Sequence, residues 1–335
     1  MTSPLSDQVV VVTGASSGIG RETCLQLAHA GARITALARG QQALDTLAEE
    51  ATRLGAEIHT VCGDVADWPT VERAASESMD RFGRIDTWIN NAAVSVYATI
   101  DQLSIEEIER ITRVNYLGVV HGVKAAVPFM RAGGGGTIIN VGSALGERAV
   151  PLQSAYSAAK HAVKGFTESL RVEMEREGSD ISVVLIEPSS MNTPLFDHAR
   201  SKMGVRPQPI PPVYEASVTA SAIVYAAAKP VPVIVTGGAG KAFTVLERIS
   251  PRLVDWWQLR GDSGVRDQQT DQPDDGRDNL FSALDTPGGV VGKFGDNAKG
   301  SSLYTEFFEL HPRRKTAALA VGVATMAFAL RRFGR

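Results

Sequence analysis

Tyr156 and Lys160 stand four residues apart in the run YSAAK, and a helix there would put both side chains on one face. An ammonium beside a phenol favours the ionised form, and a free phenol titrates near about 10, so proton exchange at neutral pH needs such help. On spacing alone the pair could equally be surface decoration. Ser143, thirteen residues before the tyrosine and at the end of a β-branched run, adds a hydroxyl that could donate to a substrate oxygen. A second feature is TGASSGIG, Thr13 to Gly20, entered directly from the apolar run Val9 to Val12. Glycines at Gly14, Gly18 and Gly20 allow a tight turn and a close approach of backbone to a pyrophosphate, which would face the N-terminus of the following helix. Thr13, Ser16, Ser17 and Ile19 complete that candidate phosphate cradle. A plain strand-to-helix turn is the competing reading of the glycines alone.

The elements that must position these groups alternate short β-branched runs with longer helical patterns, the signature of a parallel sheet covered on both faces. Strands are predicted at Val9 to Val12, Arg33 to Leu37, Glu57 to Cys62, Thr87 to Asn90, Thr137 to Asn140, Ile181 to Ile186 and Val231 to Val235. This is a doubly wound α/β pattern with a seven-stranded sheet. Polar or turn residues recur just past each strand: Gly14, Arg39, Asp64, Asn91, Ser143 and Pro188. That carboxyl edge is where open parallel sheets bind ligands, so one crevice should collect them. Gly133 to Gly136 reads as the loop entering the fifth strand. The segment from Ser189 to Pro212 mixes apolar residues with five prolines and reads as a long functional loop, an apolar lid that points to a lipophilic substrate.

The glycine turn, Ser143 and YSAAK together resemble the compact branch of the short-chain dehydrogenase/reductase superfamily, over about residues 5 to 240. The resemblance implies a Rossmann-type fold and hydride transfer between nicotinamide and a carbonyl or alcohol, with Ser143, Tyr156, Lys160 and Asn115 as the catalytic group. Tyr156 would donate the proton, Ser143 would hold the oxygen, and Lys160 would bind the nicotinamide ribose and lower the phenol's pKa. Asn115, in VNYLG, matches the asparagine that holds a water in the proton relay to the lysine. Asn91 with Ala92, in NNAA, matches the cofactor-site asparagine segment, and Asp64 with Val65 matches the adenine contact. Pro188 to Thr193 resembles the stretch along the nicotinamide and its phosphates. Two departures are Ala93 and Ser189, each standing where the family usually has glycine.

The second strand runs out in LAR, Leu37 to Arg39, where Ala38 takes the position at which NAD-preferring relatives carry an acid, and Arg39 follows. A guanidinium there can pair with a 2′-phosphate, so NADP is expected over NAD. Two readings from other classes compete: a non-catalytic dinucleotide sensor or scaffold on the same fold, and an isomerising or lyase relative that retains its cofactor. The intact Ser143, Tyr156, Lys160 and Asn115 speak against the first. The glycine spacing, and the lack of a larger sugar-nucleotide domain, speak against the second.

Bulk composition narrows the partners. A net charge of −3 gives no general attraction to nucleic acid, and two cysteines are too few for a disulfide framework. Six histidines without ligand spacing predict no metal site. The N-terminus lacks a secretory pattern, so a cytoplasmic protein acting on a small-molecule substrate, and a homo-oligomer, are expected. Four regions are expected: a dinucleotide-binding catalytic domain over 1–240, an amphipathic helix over 241–260, a flexible linker over 261–302, and an apolar helix with basic flanks within 303–335. The linker has eight aspartates against four basic residues. Near the C-terminus, fifteen uncharged residues from Thr316 to Leu330 lie between basic clusters. As a helix they would span roughly 22 Å, short of the hydrocarbon core, so shallow membrane association is favoured over spanning. Docking on the body or at an oligomer interface is the soluble alternative.

Overall fold

The structure is a computed structural model that describes residues 3–260, 263–311 and 314. Its centre is the run Val9–Thr13 (β1), where four successive valines are fully buried. A strand apolar at every position has both faces covered, which is the condition of a central strand in a parallel sheet. The other sheet strands are Arg33–Ala38 (β2), Ile58–Cys62 (β3), Thr87–Asn90 (β4), Gly136–Val141 (β5), Ile181–Pro188 (β6) and Val233–Thr236 (β7). They pair in the order β7-β6-β5-β4-β1-β2-β3, all parallel. The order reverses between β1 and β4, and that reversal opens the crevice at the strands' carboxyl ends.

Helices Gly18–His29 (α1), Gln41–Arg53 (α2), Trp68–Phe82 (α3), Ile105–Thr112 (α4), Gly118–Ala132 (α5), Ser154–Arg176 (α6) and Ala216–Ala228 (α7) cover the sheet. Their ends follow local chemistry. The Asp67 side chain accepts from the Thr70 amide at the start of α3, and Gly83 ends that helix in the left-handed region at φ 77°. Ser104 and Glu107 form a capping box on α4. Between α4 and α5 the chain makes a single π turn, Arg113–Leu117, which turns Asn115 inward.

Two apolar clusters fill the layers. One is built around Trp88, Ile111, Met130 and Ile138, the other around Leu27, Ile34, Leu44 and Ile89. A polar thread crosses the first: Trp88 Nε1 donates to Asn90 Oδ1, Asn90 to Asn140, and Asn140 to Thr167. A Cβ on Gly122 would lie 2.0 Å from Asn90 Oδ1, so α5 needs glycine there.

The stretch from Ser189 to Pro212, expected as a long loop, is organised by pairing with remote segments. Met191–Asn192 pairs with Tyr214–Glu215, Arg200–Ser201 with Val96–Tyr97, and Val205–Pro207 with Gln269–Pro273. Such pairing leaves no local period to read. After β7 the amphipathic stretch forms two helices, Gly238–Ile249 (α8) and Pro251–Leu259 (α9), with Ser250 capping the second and Pro251 opening it. Residues 263–302, expected as a flexible linker, lie along the body instead, and Leu280 is buried in the first cluster. A buried leucine, ion pairs of Asp275 with Arg206 and Asp278 with Arg200, and a series of backbone bonds hold the segment. Among the described residues no helix is long and apolar enough to cross a membrane. The apolar run from Thr316 to Leu330 lies outside the described residues.

Candidate active site

β1 delivers the chain into the glycine turn, and the turn's geometry demands glycine. Gly14 has φ +66°, and a Cβ on it would lie 2.7 Å from the Ala92 Cα. A Cβ on Gly20 would fall 2.2 Å from the Gly14 carbonyl oxygen. Backbone therefore packs on backbone here, and α1 begins at Gly18 with its amide end facing the crevice. Asn91 closes the turn from β4: its Nδ2 donates to the Thr13 and Gly14 carbonyls, and its own amide donates to Thr13 Oγ1. Thr13 and Gly20 thus brace the cradle from behind, while Gly14, Ser16, Ser17, Gly18 and Ile19 border the cavity.

That cavity, about 580 Å³, runs from Arg39, Asp64 and Val65 at the ends of β2 and β3 past Asn91 and Ala92 to Ser143, Tyr156, Lys160, Pro188 and Thr193. The crevice that strand phase predicts is thus one continuous space. The Gly14 and Gly18 cradle, the amide end of α1 and an elongated cavity reaching the tyrosine fit a dinucleotide.

Tyr156 and Lys160 share one face of α6. The Lys160 ammonium is buried, donates to the Val141 carbonyl at 2.8 Å and lies 5.7 Å from the Tyr156 ring centroid. Burial lowers Lys160 to about 8. Burial also pushes the Tyr156 phenol up to about 12, against a hydrogen bond with Ser143 that pulls it down. Ser143 begins the turn after β5, where its Oγ accepts from the Leu145 amide at 3.1 Å. Asn115 is fully buried and does not border the cavity. It clasps Val94, accepting from that amide and donating to that carbonyl, each at 2.9 Å.

Other expected residues have partners that spacing could not show. Arg39 donates to the carbonyls of Asn279 and Leu280, at 2.5 and 3.3 Å. Asp64 accepts from the Ala66 amide and pairs with Arg110. Ser189, in the position of a family glycine, packs against Gly237 and Gly240; a Cβ on Gly237 would fall 1.9 Å from its Oγ. The two later glycines make room for the serine.

Two features had no sequence signal. Arg148 ties both late helices to the loop after β5, through Glu247 on α8 and Asp255 on α9. Glu187, at the end of β6, is 4% exposed and is raised to about 7 by burial and by the nearby charge of Glu147. Its Oε1 has no hydrogen-bond partner among the described residues. The apolar loop and the amphipathic stretch, both legible in the sequence, come together as the wall of the cavity beyond the tyrosine, where Leu145, Met191, Phe196 and Ile210 meet Phe243, Leu246 and Trp257 of α8 and α9.

Comparison with known proteins agrees with this geometry. A family model described as short chain dehydrogenase matches residues 8–204. The chain is 36% identical over 327 residues, 97% of its length and 90% of the relative's, to a Bacillus subtilis protein described as uncharacterized oxidoreductase YxnA. It is 33% identical over 205 residues to levodione reductase of Leifsonia aquatica, covering 60% of this chain and 76% of that one. Among solved structures, a short chain dehydrogenase/reductase from Burkholderia phymatum in complex with NAD aligns with a TM-score of 0.69 at 25% identity, over 75% of this chain and 96% of that one. A crystal structure of levodione reductase aligns with a TM-score of 0.61 at 27% identity, over 70% and 98%. The chain belongs to the short-chain dehydrogenase/reductase family and is an NAD(P)-dependent oxidoreductase.

Proposed function

We propose that this protein is an NADP-dependent oxidoreductase that interconverts lipophilic carbonyl compounds and secondary alcohols, with Tyr156 as the acid and base. The observation that carries this reading is the position of the Tyr156 and Ser143 hydroxyls at the junction between the glycine cradle and an apolar chamber. Bound nicotinamide supplies the hydride, or accepts it in the reverse direction. The protein's own groups handle the proton. Ser143 donates to the substrate oxygen and fixes it beside the phenol, and Tyr156 gives that oxygen its proton in reduction and takes it back in oxidation. Lys160 stabilises the phenolate left behind by its charge. Asn115 keeps the Val94 backbone, and with it the Asn91 segment, in place through its two-sided clasp.

Apolar walls favour a substrate whose carbonyl is its one strongly polar group, because any further polar group would lose water there without a replacement. Arg39 at the end of β2, with no acid at Ala38, favours a phosphorylated ribose. A screen of ketones, aldehydes and secondary alcohols with both cofactors, followed by nicotinamide absorbance, tests the proposal. Activity only on small hydrophilic substrates, or a lower KM for NAD, would overturn the respective part.

We also propose peripheral membrane association through the segment from Thr316 to Leu330. Supporting it, α9 leaves Leu253, Trp256, Trp257 and Leu259 exposed beside Arg252 and Arg260 on the helix that walls the substrate chamber. Flotation of full-length protein with anionic vesicles, compared with a chain ending at Arg314, tests this; equal recovery in the soluble fraction would eliminate it.

A further inference from the structure

Residues 278–294 run along the crevice from the end of β2 past the glycine turn to Asn192 and Thr193. At the β2 end, Asp278 forms a two-point ion pair with Arg200, and the Asn279 amide donates to the His198 carbonyl. The Leu280 side chain is fully buried in the core. Its carbonyl oxygen accepts from Arg39 and, at 2.8 Å, from Arg110, so two guanidiniums are held on one backbone atom. In the middle, Gly288 has φ +76°, and a Cβ on it would lie 2.4 Å from the Ser16 carbonyl oxygen and 3.0 Å from the Ala43 Cβ. The Gly289 carbonyl accepts from the Gly18 amide at 2.8 Å, at the glycine turn itself. At the far end Gly292 presses on the Thr193 backbone, and the Phe294 amide donates to Asn192 Oδ1.

This placement has two physical consequences. Arg39 and Arg110 face a single carboxylate, Asp64, so the β2 end carries one cationic charge in excess of its acid. Arg110 spends its charge on Asp64, which leaves Arg39, the one of the two that borders the cavity, to be matched by an anion such as a phosphate. In addition, a wall fastened at both ends and at the glycine turn covers the route into the cradle.

We propose that residues 278–294 are a strap forming the outer wall of the dinucleotide site. It holds Arg39 for the adenosine phosphate, with Arg110 fastening it from outside the cavity, and it must lift for the nucleotide to enter or leave, so strap opening sets the rate of cofactor exchange. The phosphate part rests on the NADP reading above; the gating part does not. Opening requires exposing Leu280 and breaking the Arg39, Arg110 and Gly18 bonds together, which makes it a single concerted event.

The test uses full-length protein with NADPH and NADH as probes. Nucleotide release is timed by stopped-flow fluorescence for the wild type, Leu280→Ala and Gly288→Val, with thermal unfolding of each ligand-free protein as the check on folding. Both variants should release nucleotide about tenfold or more faster than the wild type. In the wild type, NADPH should slow hydrogen exchange of the strap amides by a similar factor, a measurement that needs no variant. Unchanged release from folded variants, or faster strap exchange with nucleotide bound, would overturn the proposal, the latter by showing that the strap competes with the cofactor. Should NADH be held more tightly than NADPH, the NADP reading fails, and the strap is then judged on NADH release from the same variants.

Discussion

The Lys160 ammonium lies 5.7 Å from the centroid of the Tyr156 ring while its hydrogen bond goes to the Val141 carbonyl. The lysine is thus fastened to β5 rather than to the phenol, so in the proposed mechanism it acts on Tyr156 through its charge. Tyr156→Phe removes only the exchangeable proton, so kcat should fall about 10²- to 10⁴-fold with cofactor affinity nearly unchanged. Lys160→Ala should weaken both, since it also takes a charge from the cavity. Steady-state kinetics beside fluorescence titration of cofactor reads the two effects separately, and normal turnover by Tyr156→Phe protein would refute the mechanism.

Cofactor choice is expected to depend on Arg39. Arg39→Ala should raise KM for NADP about tenfold or more and leave that for NAD nearly unchanged, because only the phosphate loses a charge-assisted partner. KM values for both cofactors on both proteins check this.

The chamber beyond Tyr156 should discriminate by apolar bulk. Phe243 and Trp257 stack edge to face, with centroids 6.3 Å apart, and both wall the cavity. Phe243→Ala should raise KM about tenfold for large apolar ketones and little for small ones. An equal change for both would place the substrate elsewhere.

Glu187 gives the protein a pH signature. Its folded-state pKa of about 7 lies above the ordinary 4.5, because burial and Glu147 outweigh the attraction of Lys164 and Lys241. Between those values the folded state holds more protons than the unfolded chain, so this group's contribution to stability declines as pH rises through the window. Glu187→Gln removes that decline. Its stability relative to the wild type should rise by on the order of 1 kcal/mol or more between pH 5 and 8. Urea unfolding of both proteins across that range measures the difference, and a flat difference would disprove the assignment.

The sequence by itself determined the sheet and the cluster at its carboxyl edge. Four valines in a row can be buried only in a strand covered on both faces, and strand phase then carries Gly14, Asn91, Ser143 and Pro188 to one side. Tyr156 and Lys160 needed only the pitch of a helix to share a face. These are local rules, legible within a few residues. Tertiary structure alone decided what surrounds them. Arg148 reaches its acids about a hundred positions away, and Glu187 owes its raised pKa to burial and to a remote glutamate. Residues 278–294 mix apolar and polar residues without a period, inside a longer stretch whose aspartates and glycines predict a linker. They are held by one buried leucine, by the ion pair of Asp278 with the remote Arg200, and by carbonyl and amide groups that every residue possesses. Backbone groups leave no mark in the amino-acid alphabet, and only the folded chain shows which of them find partners across the crevice.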